Sequence, residues 1–84
     1  MYIKNQNFLI FGISKSGYSV ANYILSNGGN CYLYEEVNNE QSKKNIEELI
    51  EKKAIKLELE FIKKNIDIFD MLILSPGVPI NHPL

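Results

Sequence analysis

Two short runs in this chain, Phe8-Leu9-Ile10-Phe11 and Met71-Leu72-Ile73-Leu74, are apolar at every position. Unbroken apolarity over so few residues is how a strand covered on both faces reads, and such strands belong to parallel sheets. Between the two runs the period changes. After Gly17, Val20, Ala21, Ile24 and Leu25 fall on one helical stripe, with Ser19, Asn22 and Ser26 elsewhere. Ser26-Asn27-Gly28-Gly29 stops that helix, since Asn or Gly accepts the left-handed conformation that closes a last turn. Cys31 to Tyr34 predicts a second strand, with Glu35 and Glu36 directly after it. Val37 to Glu40 is a polar connection. Gln41 to Lys53 predicts a second amphipathic helix, with Ile46, Leu49 and Ile50 on its stripe. Glu40 with Lys44 and Glu48 with Lys52 are i,i+4 pairs in the better orientation. Ala54 to Glu60 then alternates Ile55, Leu57 and Leu59 with Lys56, Glu58 and Glu60, which predicts a strand with one wet face, short or at a sheet edge. Residues 61–69 fit either a short helix or an irregular link. Ser75-Pro76-Gly77-Val78-Pro79 ends the last strand, because two prolines and a glycine do not continue a central one.

Strands alternating with helices predict an α/β protein: a Rossmann-like three-layer αβα fold with a short, mainly parallel sheet of about four strands and right-handed crossovers. The 84 residues suffice for one domain, taken as residues 1–84. Hydrophobic residues at 45% and charged residues at 23% set aside a disordered chain and a disulfide-stapled miniprotein. No signal peptide is visible after Met1, and the apolar runs are too short to span a membrane. The expectation is a soluble cytoplasmic protein.

Charge narrows the chemistry further. The net charge is −1, and all nine basic residues are lysine. Each lysine cluster sits among acids, so no basic patch offers itself to nucleic acid. Without arginine there is no bidentate clamp for phosphate, and an anion must rest on backbone N–H groups, hydroxyls or lysine. Cys31 stands alone and lies in a strand, which suits a small core residue more than a nucleophile. His82 lacks a second His or Cys at useful spacing for a metal.

The strongest local signal is Gly12-Ile13-Ser14-Lys15-Ser16-Gly17, set between a buried strand and a helix. A helix start presents unpaired N–H groups and partial positive charge, which suits a phosphate. Gly12 permits the tight turn and Gly17 close helix–strand packing. Ser14 takes the middle position of the GxGxxG fingerprint, where a side chain hinders close approach to a pyrophosphate. A turn shaped by glycines with no ligand is the competing reading. Glu35, at the end of the second strand, matches the fingerprint acid that accepts from ribose hydroxyls; Glu36 beside it reads as exposed. Ser75-Pro76-Gly77 closes the last strand. In open parallel sheets ligands sit beyond the strands' carboxyl ends, so all three elements would line one rim. Lys15-Ser16 precedes Gly17 instead of following it, so no P-loop is formed. A dinucleotide-binding regulatory module, with Glu35 on an adenosine ribose, and a structural remnant without ligand both stay open on these residues.

Taken in order, residues 8–17, then Tyr34-Glu35, then Leu72 to Pro79 with Asn81-His82-Pro83-Leu84, resemble the amino-terminal domain of the Mur ligases. The resemblance spans nearly the whole chain and is most specific in the Ser-Pro-Gly-Val-Pro tail. It is nearest to the branch that adds D-glutamate to UDP-N-acetylmuramoyl-L-alanine, a peptidoglycan precursor. The resemblance implies that this domain holds the UDP part of that substrate. ATP and Mg²⁺ would act in the central and carboxy-terminal ligase domains, so the chain alone should catalyse nothing. By the same resemblance Gly12 shapes the diphosphate turn and Ser14, Lys15, Ser16 and Gly17 meet the diphosphate. Glu35 and Glu36 lie by the uridine, Gly77 packs near the uracil, and Ser75 is a further UDP-binding residue. The family commonly has glycine where Ser14 stands and aspartate where Glu35 stands. A domain of this kind ending at Leu84 is also expected to leave a sheet edge open to self-association.

Overall fold

The computed structural model describes residues 3–13, 15–36 and 40–74. Strands β1 (Asn7–Phe11), β2 (Asn30–Tyr34), β3 (Ile55–Lys56) and β4 (Met71–Leu74) form one sheet in the order β3-β2-β1-β4. Every pairing is parallel. Helices α1 (Lys15–Ser26), α2 (Glu40–Glu51) and α3 (Leu59–Lys64) connect them, with a 3₁₀ turn at Ile66–Ile68 after α3. Strand alternation sorts the core into two layers. Phe8 and Ile10 of β1 and Cys31 and Leu33 of β2 face α1 and α2, where Ala21, Ile24, Ile46 and Leu49 cover them. Leu9 and Phe11 face the other way, against Ile62 of α3 with Tyr32, Tyr34, Leu57 and Phe69 around them. This is the three-layer αβα arrangement expected from the pattern.

The two helix stops are built alike. Gly28, at φ +82°, donates its N–H to Leu25 O (3.2 Å), and Gly29 donates to Ile24 O (2.9 Å). That pair of bonds is the Schellman closure. A Cβ on Gly29 would lie 2.7 Å from Ile24 Cγ2 and 2.8 Å from Ile3 Cγ2, so close packing requires glycine there. After α2 the same bonds recur, Lys53 N–H to Ile50 O (2.9 Å) and Ala54 N–H to Leu49 O (3.0 Å).

Two sequence expectations change. The strand expected over Ala54 to Glu60 is only Ile55–Lys56, and Leu59 and Glu60 open α3. The alternation that suggested a longer strand continues into a helix whose one fully buried side chain is Ile62. Met71–Leu74, expected as a covered central strand, pairs with β1 and, among the described residues, lies at the sheet edge. Met71, Leu72 and Leu74 are 41%, 39% and 46% exposed, which settles that they are not core. Among the described residues β1 and β2 are paired on both sides, and of these two β1 is the one buried on both faces. The helix boundaries differ slightly: α1 begins at Lys15, two residues before Gly17, and α2 runs from Glu40 to Glu51.

A polar cluster ties the amino ends of the strands. Asn7 N–H donates to Asp70 Oδ2 (2.6 Å), and Asp70 N–H donates to Asn7 O (2.7 Å). Asn7 Nδ2 donates to Ile68 O (2.8 Å), and Asn30 Nδ2 donates to Asn7 Oδ1 (2.9 Å). β1, β2 and β4 therefore start from one fixed level. No helix among the described residues is long and apolar enough to cross a membrane.

Candidate functional site

Because the strands start level, they also finish level. Phe11 pairs with Tyr34 on one side and with Leu74 on the other. The strand order reverses here, β2 lying on one flank of β1 and β4 on the opposite flank. In open parallel sheets that reversal at the carboxyl ends leaves a crevice for ligands. The turn from β1 into α1 begins in it.

Gly12 donates its N–H to Tyr34 O (2.9 Å), extending the β1–β2 ladder one step, and then turns the chain at φ +86°. A side chain would be strained at that angle, which explains the glycine. Ile13 follows with its side chain fully buried in the α1–α2 layer. Its peptide groups are held on both sides. The N–H donates to Glu35 Oε1 (2.8 Å), and the carbonyl accepts from Asn45 Nδ2 (3.2 Å). Ser42 Oγ donates to the same Glu35 oxygen (3.1 Å), and Gln41 Nε2 donates to Asn45 Oδ1 (3.1 Å). One carboxylate thus joins the glycine turn, the end of β2 and the start of α2.

Lys15 and Ser16 are exposed in the first turn of α1, and Gly17 is buried beneath them. That turn carries no acidic residue, so the partial positive charge of the helix start is not cancelled from within. Glu36 is exposed and accepts from Tyr34 Oη at 3.4 Å. The Tyr34 hydroxyl is pushed above its ordinary value of 10.0, first by burial and then by the Glu36 carboxylate, with Glu58 and Glu35 adding to it. Phe11 and Tyr34 rings meet at 5.1 Å on the α3 face of the rim.

Of the residues singled out in the sequence, the structure brings Gly12, Lys15, Ser16, Gly17, Glu35 and Glu36 to this one rim. Ser14, Ser75 and Gly77 lie outside the described residues. The sequence reading missed Ser42 and Asn45. Both are buried, and they sit on the α2 stripe with Ile46 and Leu49. A serine and an asparagine on an otherwise apolar stripe were the available signal, since buried polar groups require partners. Among the described residues no group of three or more His, Cys, Asp or Glu is placed to hold a metal. Cys31 is buried in β2, and that burial pushes its thiol from 9.0 up to about 12, away from reactivity.

Comparison with known proteins gives the family. The family described as "Mur ligase MurD-like, N-terminal domain" matches residues 6–84. The chain is 37% identical over 83 residues to a UDP-N-acetylmuramoylalanine–D-glutamate ligase of Wolbachia sp. subsp. Brugia malayi, an alignment covering 95% of this chain and 15% of that protein. It is 33% identical over 88 residues to the ligase of the same name from Bacillus cytotoxicus, covering 96% of this chain and 18% of that protein. The ligase from Lachnospira eligens is 30% identical over 84 residues, covering 100% and 19% respectively. The chain therefore spans less than a fifth of the length of these relatives. No solved structure matches it significantly.

Proposed function

This chain belongs to the MurD-like N-terminal domain family of the Mur ligases, and from that premise we propose that it binds the UDP moiety of UDP-N-acetylmuramoyl-L-alanine for a ligase that adds D-glutamate. One observation carries the reading. Phe11, Tyr34 and Leu74 end three neighbouring strands in register at the reversal of strand order, and the middle strand leads through Gly12 into a helix whose own first turn carries no acidic residue. The diphosphate lies at that helix start, where Ser14, Lys15, Ser16 and Gly17 offer amides, hydroxyls and one ammonium. Glu35 and Glu36 stand on the uridine side; by the family resemblance Gly77 would serve the uracil and Ser75 would be a further UDP-binding residue. Binding is weak in this chain alone, because the Glu36 carboxylate repels a diphosphate. ATP and Mg²⁺ belong, in this reading, to the remaining domains of the ligase, which are also this domain's partners in a cytoplasmic enzyme.

An amide-detected titration of the labelled chain with UDP, and separately with NAD⁺, tests the reading. UDP should move Gly12, Ser16 and Gly17. Movement with NAD⁺ and none with UDP would replace it by a dinucleotide-binding module.

A further inference from the structure

Helix α2 has no place in the three rim elements, yet it reaches the glycine turn through two buried polar side chains. Ser42 donates to the carboxylate that accepts the Ile13 N–H, and Asn45 donates to the Ile13 carbonyl. The N–H and the carbonyl of Ile13 are thereby both held, a short step before the start of α1. We propose that Ser42 and Asn45 are positioning residues for the anion turn, acting through Glu35 and Ile13 to hold the α1 amides toward a nucleoside diphosphate. This rests on the UDP reading above.

Chemistry and geometry agree on why α2 performs this task. The turn lies between Gly12, which has unusual conformational freedom, and a helix whose first N–H groups have no intrahelical partners. Left alone, such a turn samples orientations, and a ligand must select among them at a cost in affinity. Holding Ile13 by its N–H and its carbonyl removes that freedom before the ligand arrives. Glu35 has the reach for it. Its two methylenes let the carboxylate bend back onto Ile13 N–H and Ser42. Gln41 fixes the Asn45 amide by donating to Oδ1, which leaves Nδ2 aimed at Ile13. The serine and asparagine therefore act on the diphosphate turn without touching the diphosphate.

The test compares wild type, Ser42→Ala, Asn45→Ala and Asn45→Asp by amide-detected titration with UDP and with inorganic pyrophosphate. Circular dichroism and the wild-type amide positions of β1 and β2 certify the fold of each variant. Loss of one such hydrogen bond should weaken UDP binding about fivefold. Pyrophosphate, which probes the turn alone, should weaken by the same factor. Asn45→Asp keeps size and the Oδ1 acceptor but loses the donor and adds a negative charge, so it should weaken pyrophosphate more than Asn45→Ala does; Ser42→Ala, which adds no charge, carries the test if an Asn45 variant unfolds. Wild-type binding with unchanged affinities in folded variants overturns the positioning role and leaves the UDP reading standing. Variants that weaken UDP but not pyrophosphate also overturn it, because the effect then lies at the uridine. A wild-type chain that shifts with neither probe removes the site and the proposal together.

Discussion

Lys53 adopts the backbone conformation that Gly28 adopts, φ +80° against +82°, and closes α2 with the same pair of hydrogen bonds that closes α1. One stop is made with the residue suited to it and the other with a side chain that crowds the following carbonyl. Replacing Lys53 by glycine should stabilise the fold by about 0.5–1 kcal/mol, and Gly28→Ala should destabilise it by about 1 kcal/mol. Urea midpoints should move in opposite directions with unchanged slope; movement of both in one direction would contradict the parallel between the two caps.

Leu33 and Ile73 should differ sharply on truncation. Leu33 is fully buried between β1 and β3, whereas Ile73 lies half-buried in the edge strand. Leu33→Ala should cost about 2–5 kcal/mol and Ile73→Ala about 1 kcal/mol. Equal losses in chemical denaturation would mean that β4 is covered as a central strand is.

The Cys31 thiol should resist alkylation at pH 8 in the native chain and react once urea unfolds it. Its folded value of about 12 stands above the ordinary 9.0. Stability from keeping the thiol neutral is therefore complete below about pH 9 and falls as pH rises toward 12, because only the unfolded thiol ionises in that window. A Cys31→Ala variant with the same slope of stability between those values would remove Cys31 as the cause.

Tyr34 should ionise above 10.0, and Glu36→Gln should bring it down part of the way. Burial is the larger cause and survives the substitution, so the hydroxyl should not return to its ordinary value. A phenolate titration followed by ultraviolet absorbance, with Tyr34→Phe to identify the signal, reads both.

The exposed edge formed by Met71, Leu72 and Leu74 should drive self-association at high concentration. Concentration-dependent amide shifts should gather in β4, and Leu72→Lys should abolish them. Sedimentation as a monomer at millimolar concentration would refute this.

Much of the fold was legible because its signals were local. The period change after Gly17, the glycines behind Ser26 and the apolar β1 each report on a few neighbouring residues. The edge position of β4 was not legible, since an apolar tetrapeptide reads alike in the centre of a sheet and at its margin. The strand over Ala54 to Glu60 failed for a related reason: alternation persists across a bend, and Ile62 pulls residue 59 onward into a helix. The glycine turn and Glu35 stood out by spacing. The links from Ser42 and Asn45 did not, because they cross 32 residues from Asn45 to Ile13 and depend on how α2 is laid over the sheet.

The polar cluster at the strand starts also bears on the order of folding. Asn30 meets Asn7 across 23 residues, while Asp70 meets Asn7 across 63. Closing the longer loop costs about 1 kcal/mol more in chain entropy, and distant pairings are formed late. β1, α1, β2 and α2 thus make up an early unit, to which β4 is added. Pulse-labelled hydrogen exchange should protect Ile10 and Leu33 before Ile73; simultaneous protection would exclude this sequence of events. Ile13, Glu35, Ser42 and Asn45 all fall within the early unit, so the glycine turn should be held by its polar supports before β4 joins the sheet.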